Sequence, residues 1–231
     1  MTDPVVICRG VSRTYQQESV PVHALRQVDL TVYPGEFVSL SGPSGSGKST
    51  LLNIVGGLDR PDEGSVSVGG VDLGELSESK LADLRLHKLG FVFQAYNLIP
   101  VLSALENVEF IMQLQGVSSA ERAERATAVL DRLGLADMLH RRPGELSGGQ
   151  QQRVAVARAI VSEPVLLLAD EPSANLDSST TKDLLELLKQ LNEEGMTIVT
   201  ATHDAMVMSY ALRQVHLLDG RIEHDGQTRS A

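Results

Sequence analysis

A single cysteine, Cys8, stands in a chain of 231 residues, so no internal disulfide can form. It follows Val5-Val6-Ile7 and reads as a small core residue. No apolar run approaches the roughly 18 residues that a membrane-spanning helix needs. The opening Met1-Thr2-Asp3-Pro4 lacks the charged and apolar regions of a secretory signal. With one cysteine and no signal, the expected location is the cytoplasm. Positive charge is in deficit: the formal net charge is −10, whereas general nucleic-acid binding wants a basic face. No Cys/His spacing suits zinc. Long repeats and low-complexity segments are also missing. No Pro- or Ser-rich linker divides the chain, which is therefore expected to be one domain over 1–231 with lobes. Its 42% hydrophobic content and its length suffice for one sizeable core.

What is present centres on Gly42-Pro43-Ser44-Gly45-Ser46-Gly47-Lys48-Ser49-Thr50. An apolar run, Phe37-Val38-Ser39-Leu40, precedes it as a buried strand. A helical pattern with Leu51, Leu52, Ile54 and Val55 follows. Strand, Gly-rich loop and helix in that order are the context of a phosphate-binding loop. The glycines let the backbone curl until successive N–H groups face an anion. The helix N-terminus adds partial positive charge at the same place. Lys48 can reach β- and γ-phosphates, and the Ser49 hydroxyl can ligate Mg²⁺. A turn that merely joined strand to helix would have no need of Gly42, Gly47, Lys48 and Ser49 at this spacing.

Along the chain, Val28, Leu30 and Val32 alternate with polar residues, as does Gly64-Ser65-Val66-Ser67-Val68 before a Gly69-Gly70 turn. These segments predict an antiparallel lobe drawn from about the first 75 residues. Glu78 to Lys88 predicts a helix, then Gly90 to Phe93 a buried strand ending at Gln94. From Ser103 to Val161 the pattern is helical. Ser118 to Glu121 reads as a capping box, Gly134 as a helix end, and Ser147 as the start of a helix through Val154, Ala157 and Ile160. Val165 to Ala169 is a continuous apolar run, expected of a strand covered on both faces. Leu184, Leu187, Leu188 and Leu191 mark an amphipathic helix that Gly195 would cap. Met196 to Thr202 is a strand, Asp219-Gly220 a hairpin turn, and the polar chain after Glu223 is expected to fray. The expected class is α/β: a P-loop nucleoside-triphosphatase core with a parallel sheet, an N-terminal antiparallel β lobe, and an inserted α-helical lobe near residues 95–162.

Two further stretches carry chemistry. Asp170-Glu171 closes the apolar strand, placing Asp170 to hold Mg²⁺ and Glu171 to orient or deprotonate water. Leu146-Ser147-Gly148-Gly149-Gln150, then Gln151-Gln152-Arg153, opens a helix with free N–H donors, a hydroxyl and a dipole end. That is a second γ-phosphate site in a chain that already has one, and so invites a nucleotide held by another copy.

Together these stretches resemble the nucleotide-binding subunit of an ATP-binding-cassette transporter, over nearly the whole chain. The nearest branch handles macrolide export and lipoprotein release. Leu51 to Asp59, Gly90 to Gln94 with Asn97 to Pro100, and Ala104 to Val108 carry that likeness. The resemblance implies roles. Tyr15 would stack on adenine. Gln94 would touch Mg²⁺ and the attacking water, and His203 the γ-phosphate, whereas the other histidines stay structural. Asp177 would lie in the loop that crosses a dimer interface. The branch usually has Thr-Gly where this chain has Ser173-Ala174. Alanine gives up glycine's freedom at φ > 0, which bears on that loop's conformation.

The resemblance further implies hydrolysis of ATP with Mg²⁺ between two copies in two-fold symmetry, each phosphate loop facing the other chain's Ser147 to Gln150. A separate membrane permease would be driven, holding the chain on the inner face of the cell membrane. The resemblance implies export or the handling of lipoproteins or peptides, with cargo selection lying in that permease. Residues 95–108 would carry the motion, through exposed-looking Tyr96, Leu98, Ile99 and Leu102. Two alternatives stand beside this reading. One is a mechanical or regulatory ATPase that signals through a membrane protein. The other is a soluble cassette ATPase in DNA repair or translation, against which the acidic charge counts.

Overall fold

The computed structural model describes residues 2–17 and 20–227. Two sheets organise them. Strands β1 (Val6–Gln17), β2 (Val20–Val32), β4 (Glu63–Val68) and β5 (Val71–Asp72) form an antiparallel sheet in the order β2-β1-β4-β5. The second sheet holds β3 (Phe37–Ser41), β6 (Leu89–Phe93), β7 (Leu166–Asp170), β8 (Ile198–Ala201), β9 (Arg213–Leu218) and β10 (Arg221–Gln227). Its order is β10-β9-β3-β8-β7-β6, parallel throughout except for the β9–β10 edge. The α/β class, with its antiparallel lobe and parallel core, is as the sequence indicates.

Strand alternation divides the core. Val38, Leu40, Leu166 and Leu168 point to one face, where Leu51, Leu52 and Ile54 of α1 (Lys48–Val55) cover them together with the antiparallel sheet. Phe37, Leu167, Ala169 and Ile198 point to the other. There α5 (Gly148–Ile160) and α6 (Ser178–Glu193) pack, with α3 (Ala104–Leu114), α4 (Ser119–Arg132) and α7 (Ala205–Tyr210). Truncating a fully buried leucine such as Leu51 or Leu167 to alanine costs about 2–5 kcal/mol at sites of this kind. Helix α2 (Glu78–Lys88) matches the predicted bounds. The sheets are tied where Arg26 N–H donates to the Gly220 carbonyl at 2.8 Å. No helix among the described residues is long and apolar enough to cross a membrane.

Three sequence expectations need correction. The chain does not fray after Glu223: β10 runs on to Gln227, because Asp225 forms a two-pronged pair with Arg213 at 2.6 and 2.7 Å. Residues 228–231 lie outside the described residues. Ser118 caps α4 by accepting from Glu121 N–H at 3.4 Å, but Glu121 turns to Arg125, so the reciprocal half of that box is missing. Tyr96, Leu98, Ile99 and Leu102 are half-buried rather than exposed, leaving Val101 as the outward apolar residue of their segment.

Candidate active site

Four neighbouring parallel strands end on one edge of the sheet, and each delivers part of the site. β3 leads into the glycine loop, β7 into Asp170-Glu171, β8 into Thr202-His203, and β6 into Gln94. A crevice at strand carboxyl ends is where open α/β sheets place ligands. The cleft here measures about 700 Å³. Gly45, Lys48, Ser49, Gln94, Glu171 and His203 all line it.

The loop needs its glycines for space as well as for conformation. A Cβ on Gly42 (φ 137°) would stand 2.1 Å from the Leu217 carbonyl oxygen. One on Gly47 (φ 104°) would stand 2.4 Å from that of Ala24. Lys48 is buried, and its ammonium donates to the Gly42 and Pro43 carbonyls at 2.8 and 2.9 Å. A cation is thus held in the curl of the loop, where an anion would find it. Pro43, Ser44 and Thr50 line the same cleft, and the buried Ser46 hydroxyl has no partner among the described residues.

Beside the loop, the Ser49 hydroxyl donates to Asp170 Oδ1 at 2.9 Å. Burial raises the Asp170 carboxyl above the usual carboxylate range. The Ser49 hydrogen bond and Lys48 pull it down, while neighbouring Glu171 pushes it up. The described residues contain no group of three or more His, Cys, Asp or Glu that could hold a metal alone. Ser49 and Asp170 offer two oxygen donors, which fits Mg²⁺ arriving with phosphate oxygens to complete its shell.

Glu171 lies at φ 46°, an uncommon conformation for a side-chain-bearing residue. Its N–H donates to the Ala201 carbonyl at 2.9 Å. Its carboxylate meets His203 Nδ1 at 2.8 Å and accepts from the Thr202 hydroxyl at 3.4 Å. Ala174, where glycine was expected, needs no left-handed backbone: among residues 171–177 only Glu171 has positive φ. Tyr15 lines the cleft, its hydroxyl donating to Asp59 at 2.6 Å.

Ser147, Gly148, Gly149 and Gln150 do not line this cleft. Ser147 and Gln150 instead form a full capping box at the start of α5: Ser147 N–H donates to Gln150 Oε1 at 2.9 Å, and Gln150 N–H to Ser147 Oγ at 3.3 Å. Gly148 and Gly149 admit close neighbours. Added Cβ atoms would stand 2.9 Å from the Tyr96 hydroxyl and 2.2 Å from Thr180 Cγ2. Asp177 caps α6, accepting from Thr180 N–H at 2.9 Å and from the Ser179 and Thr180 hydroxyls at 2.7 and 2.9 Å. These bonds hold its carboxyl well below the usual range.

Sequence reasoning missed several groups that position the site. Arg158 of α5 donates to the Tyr96 and Asn97 carbonyls at 2.9 and 2.6 Å, spanning two successive left-handed residues. Gln152, buried in α5, donates to the Pro172 carbonyl at 2.7 Å, just past Glu171. Asn175 donates to the Gln94 carbonyl at 2.8 Å. The partner in each pair is far off in sequence, and no local pattern announces it.

Known proteins resemble this chain closely. The ABC transporter family matches residues 25–174. Over its whole length the chain is 46% identical to the macrolide export ATP-binding/permease protein MacB of Hyphomonas neptunium, of which it spans 36%. It is 47% identical to the lipoprotein-releasing system ATP-binding protein LolD 2 of Caulobacter vibrioides, over 96% of this chain and 98% of that one. A solved dimer of the ATP-binding cassette MJ0796 of Methanocaldococcus jannaschii, in a post-hydrolysis state with ADP and Pi, matches at a TM-score of 0.89 and 44% identity. That match covers 98% of this chain and 100% of the other. With likeness running through both sheets and the helices between them, the chain belongs to the ABC transporter family, in its macrolide-export and lipoprotein-release branch of ATP-binding cassettes.

Proposed function

We propose that this chain hydrolyses ATP between two copies of itself and so drives a separate membrane permease. The observation that carries the reading is the split of the phosphate-binding features. The glycine loop, Ser49, Glu171 and His203 line one cleft, with Asp170 bonded to Ser49 beside it, whereas Ser147 to Gln150 do not line it. A helix start with two glycines and free N–H groups suits a phosphate that a second copy presents.

In this reading Lys48 and the loop N–H groups hold the β- and γ-phosphates, and Ser49, Asp170 and Gln94 hold Mg²⁺. The bound Mg²⁺ supplies charge neutralisation on the phosphates. Glu171 takes the proton of the attacking water, and His203 holds Glu171 and meets the γ-phosphate. Gly42 to Thr50 position the phosphates, Tyr15 faces the base, and Asp177 lies at the dimer face. Residues 1–231 act as one domain, with the helical lobe at 95–162 moving against the sheets.

The permease reading is supported by an apolar groove of about 660 Å³ on a different face, lined by Leu58, Ala82, Leu86, Phe91, Phe93 and Ile111. A short cytoplasmic helix of a permease would suit it, and would keep the chain at the inner face of the membrane. Glu171→Gln tests hydrolysis: ATP-bound dimers should persist in gel filtration, and turnover should drop by about 10²–10⁴-fold. Wild-type turnover would overturn the base assignment. Copurification of a membrane permease supports the coupling, and copurification of nucleic acid or ribosomes refutes it.

A further inference from the structure

Tyr15 is held from two sides. Its hydroxyl donates to Asp59 Oδ2 at 2.6 Å. The Arg13 guanidinium carbon lies 4.8 Å from the ring centroid. That distance is within cation–π range. Arg13 is itself fixed. Its Nη2 meets Asp59 Oδ1 at 2.8 Å, its Nε meets Asp59 Oδ2 at 3.1 Å, and its Nη1 meets Asp62 Oδ1 at 2.6 Å. Asp59 also accepts from the Arg60 N–H at 2.7 Å, and Asp62 from the Thr14 N–H at 2.6 Å.

The network joins the strand that carries Tyr15 to the chain just beyond α1, the helix that begins at the phosphate loop. We infer that Arg13 and Asp59 are positioning residues for the nucleobase. They fix the ring that faces the base relative to the loop that faces the phosphates. The inference rests on the proposed role of Tyr15 as the base platform.

The Arg13 charge pairs are only partly exposed, with 23% and 24% of the Arg13 and Asp59 side-chain surface in solvent, so they also lend some support to the fold. Their density around one aromatic ring accords with preorganisation, which acts on ligand affinity. Burial and the Asp59 partner raise the Tyr15 phenol, against a pull from Arg13 and Thr50.

The test compares ATP with inorganic tripolyphosphate, which lacks a base, both with Mg²⁺. Asp59→Asn and Arg13→Gln should each raise the Kd and KM for ATP by about fivefold, part of what one base–aromatic stack supplies. Tripolyphosphate affinity and kcat at saturating ATP should stay at wild-type values. Equal loss for both ligands would make the network general fold support and overturn the inference. Tyr15→Ala separates the two levels. If it selectively weakens ATP while Asp59→Asn and Arg13→Gln do not, the positioning role fails and the base platform stands. If it leaves the ATP-to-tripolyphosphate ratio unchanged, the base platform fails, and the inference with it.

Discussion

Glu171 and His203 meet at 2.8 Å across the carboxyl ends of adjacent strands, with the Thr202 hydroxyl on the other carboxylate oxygen. The pair closes around a residue whose backbone sits in the left-handed region. Such a conformation persists only where the surroundings over-determine it. Here the Ala201 carbonyl, Thr202 and His203 do so.

Because the two side chains act as a unit, their replacements should not add. Glu171→Gln and His203→Ala should each cut turnover by about 10²–10⁴-fold, and the double variant should be no slower than the worse single. Steady-state phosphate release measures this. Multiplicative losses would mean that the residues act independently.

Gly149→Ala should be destabilising, because its Cβ would lie 2.2 Å from Thr180 Cγ2. The Thr180 hydroxyl is bonded to Asp177, so the side chain cannot simply rotate away. Overpacking of this kind costs about 1–3 kcal/mol. Thr180→Ser deletes the clashing methyl and keeps the hydroxyl, and should restore most of the lost melting temperature. Failure of that rescue would place the strain elsewhere.

Burial raises the Asp170 carboxyl, and the neighbouring Glu171 charge adds to the shift against the pull of Ser49 and Lys48. Without Mg²⁺ the native state therefore holds this proton more firmly than the unfolded chain does. Stability from this group falls as pH rises from the usual carboxylate value of about 4 through the raised value. Asp170→Asn abolishes the titration. Melts in EDTA should show a flatter pH dependence and a higher midpoint near neutrality, alongside weakened Mg²⁺-ATP binding. The same pH slope in both proteins would remove desolvation as the cause.

Arg213 draws the final strand onto the sheet. Its guanidinium meets Asp225 at 2.6 and 2.7 Å, Glu36 at 2.9 Å, and the Thr31 carbonyl at 2.8 Å. Asp225→Ala should cost about 1 kcal/mol once solvent screening is counted. It should also speed amide exchange in residues 221–227 ahead of the rest. Uniform exchange would contradict a local role.

The legible parts of the fold were those with local causes. Phe37 to Leu40 and Val165 to Ala169 announce buried strands by continuous apolarity, and Gly42 to Thr50 announce a loop by spacing. Asp219-Gly220 marks its hairpin by turn chemistry, with φ of 47° and 76°. The family likeness was equally plain in Leu146 to Gln150. Other features depend on partners far along the chain. Polar residues after Glu223 look frayed until Arg213 is placed beside Asp225. Half-burial of Tyr96 and Leu98 follows from the packing of Leu98 into the second core and from the Arg158 bonds. The Ser173-Ala174 departure was harmless because the left-handed residue of that loop is Glu171.

Arg158 gives the molecule a mechanical property. One guanidinium on α5 grips both carbonyls of the Tyr96–Asn97 corner, and Gln152 on the same helix grips Pro172 beside Glu171. The two grips thus share one continuous helix, which links the corner to the backbone just past Glu171.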